Sequence, residues 1–267
     1  MIVIKVGGAL GINYDLFLQD LAGLVKNKNQ EIVLVHGGSG ELNEISTKLG
    51  KPPKMVTSAS GHVSRRTDKE TLEIFNMVLC GKMNKMIVEK LQQLGVNAIG
   101  LSGIDGRLLV GKRKNIIIVE DGKKKIIRDD YTGKIEEVNV DLIRLLLGNG
   151  FMPVITPPGL SYENEAINVD GDRAAAIIAS SLKAEALVIL SNIPGLLKDV
   201  DDESSLIKEI NKEEIDDYMQ FAKKRMKKKV MGATEALNQG VQKVIFGDAR
   251  IENPITKALE GQGTVIQ

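Results

Sequence analysis

The sequence predicts an α/β protein, an open three-layer αβα sandwich around a mostly parallel central sheet. Short β-branched runs alternate with amphipathic stretches along nearly the whole chain, which is typical of repeated strand–loop–helix units. One run, residues 32–35, is continuously apolar, as in a strand buried on both faces. Crossovers between such units are right-handed and cover both faces of one sheet with helices.

Each predicted strand is a short apolar or β-branched run that ends near a glycine, a proline or a polar turn residue. In chain order these runs are residues 2–6, 32–35, 98–101, 153–155, 186–190 and 244–246. A β-hairpin is predicted separately, because Asp121-Gly122 is a strong turn signal between the runs 116–120 and 124–128.

Each predicted helix repeats apolar residues with helical spacing or follows a capping residue. The predicted helices are residues 14–27, 41–49, 67–93, 139–149, 171–182 and 230–240. Thr67 or Asp68 is a suitable N-cap for the third helix. Without a low-complexity linker or an internal repeat, residues 1–267 are predicted to form one domain with an N-terminal lobe, 1–178, and a C-terminal lobe, 179–267.

Composition argues against several classes of function. The chain has 36 basic and 35 acidic residues, so it lacks the basic excess of most nucleic-acid-binding proteins. No run approaches the ~18 apolar residues that a membrane span needs, and the first residues do not resemble a signal peptide, so we expect a cytoplasmic protein without membrane contact. Cys80 is the single cysteine and there are two histidines, which excludes disulfide frameworks, zinc ribbons and histidine-rich metal sites, and no side chain is predicted as a metal ligand.

Three glycine-containing turns follow predicted strands, where open α/β sheets bind ligands. They are Gly7-Gly8, residues 37–40 and residues 192–195. Glycine lets backbone N–H groups approach an anion, and a following helix adds its positive end. This pattern favours phosphate binding over plain turns. Neither a Walker A loop nor a G-x-G-x-x-G motif is present, which disfavours P-loop and ordinary dinucleotide binding.

Charged residues near these turns have two interpretations each. Lys5 lies near the end of a buried strand, where it either meets an anion or extends to water. Asp170 and Asp172 precede a helix, and at least one of them acts as its N-cap. Arg65 or Arg66 could bind a carboxylate in bidentate fashion or pair with a surface acid.

The basic run 223–229 is usually a solvated face and less often a nucleic-acid patch. The neutral balance of the chain and the acidic stretch 199–203 argue against nucleic acid. Cys80 is expected in the core. We expect no catalytic role for His62, and we expect His36 to pack against its loop.

Together these motifs resemble the amino acid kinase family, and within it the N-acetylglutamate kinase branch. The matching motifs occur in the family's order over nearly the whole chain, as Lys5-Val6-Gly7-Gly8, residues 36–40, Arg65 before Thr67-Asp68, residues 168–172 and residues 226–229. The resemblance implies the amino acid kinase fold and ATP-dependent phosphorylation of a carboxylate. It also implies Mg²⁺ bound largely by the nucleotide and water. Since a carboxylate acceptor is already ionised at neutral pH, such a reaction needs positioning and charge neutralisation instead of a general base.

The resemblance implies catalytic roles for three residues. Lys5 and Lys229 would neutralise charge on the transferring phosphoryl group, and Asp172 would hold both lysines in place. The assignment of Lys229 depends on aligning residues 226–229 with the family's Met-Ile-Pro-Lys pattern. A shift of this register would select Lys227 or Lys228, which remain alternatives.

The same resemblance implies an acceptor site in the N-terminal lobe and a nucleotide site in the C-terminal lobe. Backbone N–H groups of the glycine turns would bind the phosphate and the acceptor, and side chains would hold the acceptor's carboxylate and amide. The acceptor residues would be Gly37, Gly38, Arg65 and Asn168. The nucleotide residues would be Gly7, Gly8, Asn192, Ile193, Pro194, Gly195, Leu196, Leu197, Phe221, Ala222 and Lys223.

Three segments depart from the usual N-acetylglutamate kinase pattern. They are Gly-Gly-Ser-Gly at 37–40, Ser-Arg-Arg-Thr-Asp at 64–68 and Asp-Asp-Tyr-Thr-Gly-Lys at 129–134. They are similar to the lysine-biosynthesis relatives, which phosphorylate α-aminoadipate or glutamate attached to LysW, a small acidic carrier protein. The resemblance therefore favours a carrier-linked acceptor over free N-acetylglutamate, which remains the alternative.

The resemblance also implies partners. Arg66, Lys69 and Lys134 would dock the acidic carrier. A homodimer without arginine inhibition is expected, because arginine-sensitive hexamers of the family have a helix ahead of the first strand and this strand begins at Ile2. A non-catalytic ligand sensor on the same fold is disfavoured, since both phosphate lysines and Asp172 are present.

Overall fold

The computed structural model describes residues 1–8, 11–59, 61, 63–120, 123–223 and 225–267. The strands are β1 Ile2–Val6, β2 Ile32–His36, β3 Met55–Thr57, β4 Val63–Arg65, β5 Ala98–Ser102, β6 Leu109–Arg113, β7 Ile116–Glu120, β8 Lys123–Ile127, β9 Gly133–Val138, β10 Met152–Thr156, β11 Gly159–Ser161, β12 Ala166–Ile167, β13 Ala186–Ser191, β14 Glu209–Ile210, β15 Lys243–Asp248 and β16 Thr264–Ile266. The helices are α1 Tyr14–Lys28, α2 Ser39–Lys48, α3 Lys69–Asn76, α4 Asn84–Gln93, α5 Val140–Gly148, α6 Gly171–Leu182, α7 Ile215–Tyr218, α8 Arg225–Asn238 and α9 Pro254–Leu259. A π-helical segment, Met77–Met83, joins α3 to α4.

The central sheet has eight strands in the order β14-β16-β15-β13-β1-β2-β10-β5. Its paired strands are parallel except β15 and β16, which are antiparallel. β1 lies between β13 and β2, so that Lys5 has Ile189 on one side and Val35 on the other. The mostly parallel sheet predicted from the sequence is confirmed.

The core has a large apolar cluster on each face of this sheet. Val3 packs with α5, α6 and α8 on one face, while Ile2 and Ile4 pack with α1, α4 and α9 on the other. Successive strand residues point to opposite faces, so a strand buried on both sides needs apolar residues throughout. The arrangement is the predicted three-layer αβα sandwich.

Smaller sheets lie outside the central one. β12, β11, β6 and β9 form a four-stranded sheet, and β3 pairs with β4. β7 and β8 pair antiparallel, which confirms the two strands of the predicted hairpin, while its turn at Asp121-Gly122 lies outside the described residues. Ala59 N donates to Ile117 O at 2.7 Å and so ties the β3–β4 hairpin to the β7–β8 hairpin.

Helix caps separate residues that the sequence left as alternatives. Asp68 caps α3, because its carboxylate accepts from Thr71 N at 2.9 Å. Asp170 caps α6, because its carboxylate accepts from Asp172 N at 3.0 Å and from Arg173 N at 3.2 Å. α8 begins at Arg225, five residues before the predicted start. The prediction began it too late because the lysines in its first turns hide the apolar spacing. None of the helices in the described ranges is long and apolar enough to cross a membrane.

Candidate active site

Two glycine turns meet at the carboxyl edge of the central sheet. Gly7-Gly8 follows β1 and Gly37-Gly38 follows the adjacent β2. The turns are in close contact, since Gly40 N donates to Gly8 O at 2.7 Å and a Cβ added to Gly8 would overlap the backbone of Gly38. Glycine is therefore required at Gly8 by the close approach of the two backbones.

The amides of these turns divide into two groups. Gly7 N donates to Leu190 O at 3.0 Å, and Gly37 N donates to Val6 O at 3.1 Å, so both amides are used within the sheet. The expectation was that all four glycines would supply N–H donors to the phosphate and the acceptor, whereas the Gly7 and Gly37 amides are already hydrogen-bonded within the sheet. Within the described part of the chain, the amides of Gly8 and Gly38 have no acceptor, and neither does the following Ser39 amide. These amides are available to an anion.

Lys5, Asp172 and Lys229 form a buried charged triad beside the glycine turns. Lys5 Nζ lies 2.6 Å from Asp172 Oδ1, and Lys229 Nζ lies 3.1 Å from Asp172 Oδ2. The lysine side chains are each 9% exposed and the Asp172 side chain is 14% exposed. Two ammonium groups and one carboxylate leave one net positive charge, which is costly to bury without an anion. The triad is therefore suited to bind a negatively charged group.

The pKa shifts of Asp172 and Lys229 have different physical causes. Burial opposes ionisation of Asp172, but attraction to Lys5 and Lys229 outweighs it and holds the pKa of the carboxyl well below its usual range. Burial lowers the pKa of Lys229 below the ordinary 10.5, although Asp172 opposes that shift. The site therefore combines a stable carboxylate with an ammonium group that releases its proton more readily than a free lysine.

Three different elements place the triad. Lys5 shares a face of β1 with Val3, and this face is covered by α6 and α8. Asp172 lies in the first turn of α6 and Lys229 near the start of α8. Of the three lysines left open by the sequence, Lys229 contacts Asp172, whereas Lys228 Nζ donates to Val63 O at 3.3 Å.

The predicted acceptor residues Arg65 and Asn168 are linked through Thr67, for which no role in binding the acceptor was predicted. Asn168 Nδ2 donates to Thr67 Oγ1 at 2.9 Å, and that hydroxyl donates to Arg65 O at 3.3 Å. The Arg65 guanidinium contacts the side-chain oxygen of Asn43. Arg65 and Asn168 thus lie in one part of the fold.

Asp130 holds this acceptor region together, a role that its place in the segment 129–134 did not indicate. It is 1% exposed, and its carboxylate accepts from Thr67 N at 2.9 Å and from Thr132 N at 2.8 Å. The contact joins segments 63 residues apart. No local pattern in the sequence signals such a long-range side-chain contact with the backbone.

The residues predicted to dock a carrier have different surroundings. Arg66 Nη2 lies 2.6 Å from Asp129 Oδ2, so the alternative of a pairing with a surface acid applies to it. Lys69 Nζ lies 5.6 Å from the centre of the Tyr131 ring. Lys134 is an exposed residue of β9.

Further cations lie near Lys134. The pKa of Lys114 is lowered by desolvation of its ammonium group and by the positive charges of Arg173, Lys134 and Lys228, while the negative charge of Asp170 opposes this shift. Arg173 follows Asp172 directly and Lys228 precedes Lys229, so this basic group borders the charged triad. An acidic ligand or protein would relieve the repulsion among these side chains.

Of the predicted nucleotide residues, 192–197 lie beside the same edge of the sheet. Residues 192–197 follow β13, the neighbour of β1, and residues 221–223 precede α8. Gly195, Leu196 and Leu197 are buried, and Leu196 N donates to Thr264 Oγ1 at 2.8 Å. The surface is reached by the exposed Asn192 and Lys223 and by the half-buried Ile193, Pro194 and Phe221, whereas Ala222 is buried. In the described ranges, no three metal-ligating side chains cluster together.

Comparisons with known proteins agree with this geometry. The model of the amino acid kinase family matches residues 1–248. LysW-aminoadipate kinase of Deinococcus radiodurans is 59% identical over all of this chain and 91% of the relative. The Thermus thermophilus protein of the same name is 57% identical over the full length of both chains. A LysW-aminoadipate/LysW-glutamate kinase of Saccharolobus islandicus is 40% identical over all of this chain and 99% of the relative.

Solved structures show the same fold. N-acetylglutamate synthase of Neisseria gonorrhoeae has a TM-score of 0.80 at 24% identity over 99% of this chain, which spans 58% of the synthase chain. Giardia carbamate kinase has a TM-score of 0.68 at 15% identity over 99% of this chain and 97% of its own. The motifs, the three-layer fold and the match over residues 1–248 lead to one conclusion: the chain belongs to the amino acid kinase family.

Proposed function

We propose that the protein transfers the γ-phosphoryl group of ATP to the side-chain carboxylate of α-aminoadipate, or of glutamate, attached to a LysW carrier protein. The observation that carries the proposal is the buried triad of Lys5, Asp172 and Lys229, whose net positive charge lies beside the Gly8 and Gly38 amides, for which the described residues offer no acceptor. The acceptor is proposed from the LysW kinase names of relatives that are 57% and 59% identical.

The proposed reaction is a direct displacement at phosphorus. An oxygen of the ionised carboxylate forms a bond to the γ-phosphorus, the bond to the β–γ bridging oxygen breaks, and ADP leaves with that oxygen. Lys5 and Lys229 neutralise charge on the phosphoryl oxygens, while the Gly8 and Gly38 amides donate to them. Asp172 orients both lysines. Mg²⁺ would be bound by the nucleotide phosphates and water, since the described side chains supply no metal-ligand cluster.

On the acceptor side, Arg65 and Asn168 would hold the amino acid that is to be phosphorylated. Their connection through Thr67 supports a joint role. Lys134, with Arg66 and Lys69, would dock the acidic carrier, and the repulsion among cations around Lys114 supports an acidic partner at this end. This surface would extend the pocket beyond the amino acid itself.

We propose the other assignments on the same basis. Residues 192–197 and 221–223 would bind the nucleotide in a C-terminal lobe, 179–267, and the acceptor would lie in an N-terminal lobe, 1–178, with the boundary inside α6. The protein would act in the cytoplasm as a homodimer.

The test compares three acceptors in an ADP-release assay: carrier-linked α-aminoadipate, carrier-linked glutamate and free N-acetylglutamate. We expect turnover of a carrier-linked acid and at least about 100-fold lower kcat/KM for the free acid, because docking on the carrier contributes binding energy. Efficient turnover of N-acetylglutamate without activity on either carrier-linked acid would assign the alternative function. ADP release that none of the three acceptors stimulates would contradict both the proposed and the alternative function.

A further inference from the structure

In each glycine turn, one side chain is hydrogen-bonded to the carbonyl oxygen of the first glycine. Tyr14 Oη donates to Gly7 O at 2.8 Å. His36 Nδ1 lies 2.9 Å from Gly37 O. Tyr14 begins α1 and His36 ends β2, so unrelated elements supply the same contact to the two turns.

The geometry of the peptide unit converts these contacts into control of an amide. A peptide bond is planar and trans, so the carbonyl of one residue and the N–H of the next point in opposite directions. A donor that holds the Gly7 carbonyl therefore sets the direction of the Gly8 N–H, and a donor on the Gly37 carbonyl does the same for Gly38. Gly8 and Gly38 carry the N–H groups for which the described residues offer no acceptor.

These peptide units need an external constraint, because both turns must contain glycine. A Cβ added to Gly8 would overlap the backbone of Gly38, and one added to Gly38 would overlap the Leu79 side chain. Glycine adopts conformations that other residues avoid, so its peptide units reorient more easily. A reversed peptide unit would direct a carbonyl oxygen toward the phosphate and repel it.

His36 is suited to this role as a neutral donor. It is 0% exposed, and burial lowers its pKa to about 4. The charged groups that face it are Lys5 on β1 and Lys85 on α4, and both oppose a positive charge on the ring. A neutral imidazole has one N–H, so the contact with Gly37 O requires that proton on Nδ1.

Asn84 determines where the proton lies. Its Nδ2 is 3.0 Å from Val154 O and 3.1 Å from His36 Nε2. The carbonyl of Val154 identifies this atom as the amide nitrogen, which donates and cannot accept. His36 Nε2 must therefore accept, and Nδ1 carries the proton that is donated to Gly37 O. Asn84 is 1% exposed and lies at the start of α4, directly after the π-helical segment.

We propose that Tyr14, His36 and Asn84 are positioning residues of the phosphoryl-transfer site. Tyr14 and His36 orient the peptide units whose N–H groups belong to Gly8 and Gly38, so that both amides face the transferring phosphoryl group. Asn84 acts through His36 by selecting its tautomer. The inference rests on the proposed function for the use of the amides, whereas the tautomer can be measured without any turnover.

The first experiment measures the His36 ring by long-range ¹H–¹⁵N NMR. The chain has two histidines, so comparison with His62→Asn assigns the remaining signals to His36. We expect a neutral ring protonated at Nδ1 from about pH 6 to pH 9. In Asn84→Leu the donor to Nε2 is lost, and we expect a mixture of tautomers. A wild-type ring protonated at Nε2 would overturn the proposal, whatever the kinase assays show.

The second experiment separates orientation from general packing. His36→Asn keeps an amide donor near the position of Nδ1, whereas His36→Leu and Tyr14→Phe remove the donors. We expect kcat to fall about 10- to 100-fold in His36→Leu and Tyr14→Phe, because an oriented donor acts mainly in the transition state. In contrast to His36→Leu, His36→Asn should have a kcat within about threefold of wild type. ADP, which lacks the transferring phosphoryl group, should bind all variants within about twofold of wild type.

Tyr162→Phe is the matched control, because Tyr162 Oη bonds to Glu137 at 3.0 Å on the β9 surface. It should leave kcat and ADP affinity unchanged. Wild-type kcat in His36→Leu would refute the proposal, and so would a loss of ADP affinity that parallels the loss of kcat. If no acceptor is phosphorylated by the wild-type protein, the proposed function fails, while the NMR result still decides whether Asn84 selects the His36 tautomer.

Discussion

Lys229 Nζ lies 3.1 Å from Asp172 Oδ2, and this contact joins α8 to α6 at the edge of the central sheet. Lys5 on β1 occupies the other carboxylate oxygen. The triad is assembled by folding from distant parts of the chain, and its three groups carry one net positive charge, which the nearby Asp170 offsets in part. Because an anion bound there would relieve the cost of that charge, ATP should stabilise the fold by binding the native state.

The first prediction concerns this contact. Lys229→Ala removes a preorganised cation, and loss of one such group typically lowers turnover by ~10²–10³-fold. We expect a fall of that size in kcat for ADP release, with secondary structure retained by circular dichroism. Lys227→Ala is the matched control, because Lys227 is exposed in the same turn of α8. A severe loss in Lys227→Ala or Lys228→Ala, with Lys229→Ala active, would assign the catalytic role to another lysine.

The second prediction concerns pH. Burial lowers the pKa of Lys229, so its ammonium group should lose its proton below the ordinary 10.5. We expect kcat to decline as pH rises through that lowered value, measured from pH 7 to pH 11 at saturating substrates. Lys229→Arg stays charged over this range, so it should be slower and should lack this alkaline decline. An identical decline in both proteins would show that another group titrates.

Loss of the Lys229 proton should lower kcat, but it should have the opposite effect on the stability of the fold. Between the lowered pKa of folded Lys229 and the ordinary value of 10.5, the unfolded state binds more protons, so this residue's contribution to stability rises with pH. Asp172 behaves differently, because its pKa is depressed on folding. Its stabilising contribution is present above the unfolded value of 3.8 and is lost as pH falls through the folded value. Activity near pH 5 should therefore not be limited by Asp172.

Much of the fold could be predicted from local sequence. Continuous apolar runs such as residues 32–35 identify strands buried on both faces, and β2 extends this run by one residue, to His36. Asp170 could be predicted as one of two possible caps, because an acid before a helix has few local roles. The β3–β4 hairpin was missed, since its three-residue strands are too short to show a periodic pattern.

The residues of the candidate site also fall into those that local sequence could predict and those that it could not. Lys5 and Asp172 occur in short motifs beside glycine turns, so sequence reasoning could find them. Asp130 and Asn84 could not be found, because they act through contacts with residues more than forty positions away. Such contacts depend on how distant segments meet after folding and leave no spacing or periodicity in the sequence.

The third prediction tests the acceptor site. Thr67→Val keeps the shape of the side chain but removes the hydroxyl that accepts from Asn168 Nδ2 at 2.9 Å. Without this contact Asn168 should lose its orientation, and we expect KM for the acceptor to rise about tenfold, the value of roughly one hydrogen bond. KM for ATP should change little. Thr234→Val on α8 is the control, since its hydroxyl donates to Val230 O within the same helix. Equal effects on both substrates would contradict an acceptor-specific role for Thr67.

The fourth prediction tests docking of the carrier through charge. Lys114 and Lys134 repel each other at the acceptor end, and a bound acidic protein would relieve that repulsion. We expect Lys134→Glu to raise KM for the carrier-linked substrate by about tenfold or more at low salt, with KM for ATP unchanged.

Lys208→Glu makes the same change of charge at an exposed residue beside β14, the strand at the outer edge of the central sheet, and should have little effect. Added salt should raise KM for the wild type steeply, because screening is strong beyond about 10 Å at 0.1 M. Since Lys134→Glu has already lost the attraction, its KM should depend less on salt. If Lys134→Glu and Lys208→Glu have the same KM and the same salt dependence, the carrier does not dock through Lys134.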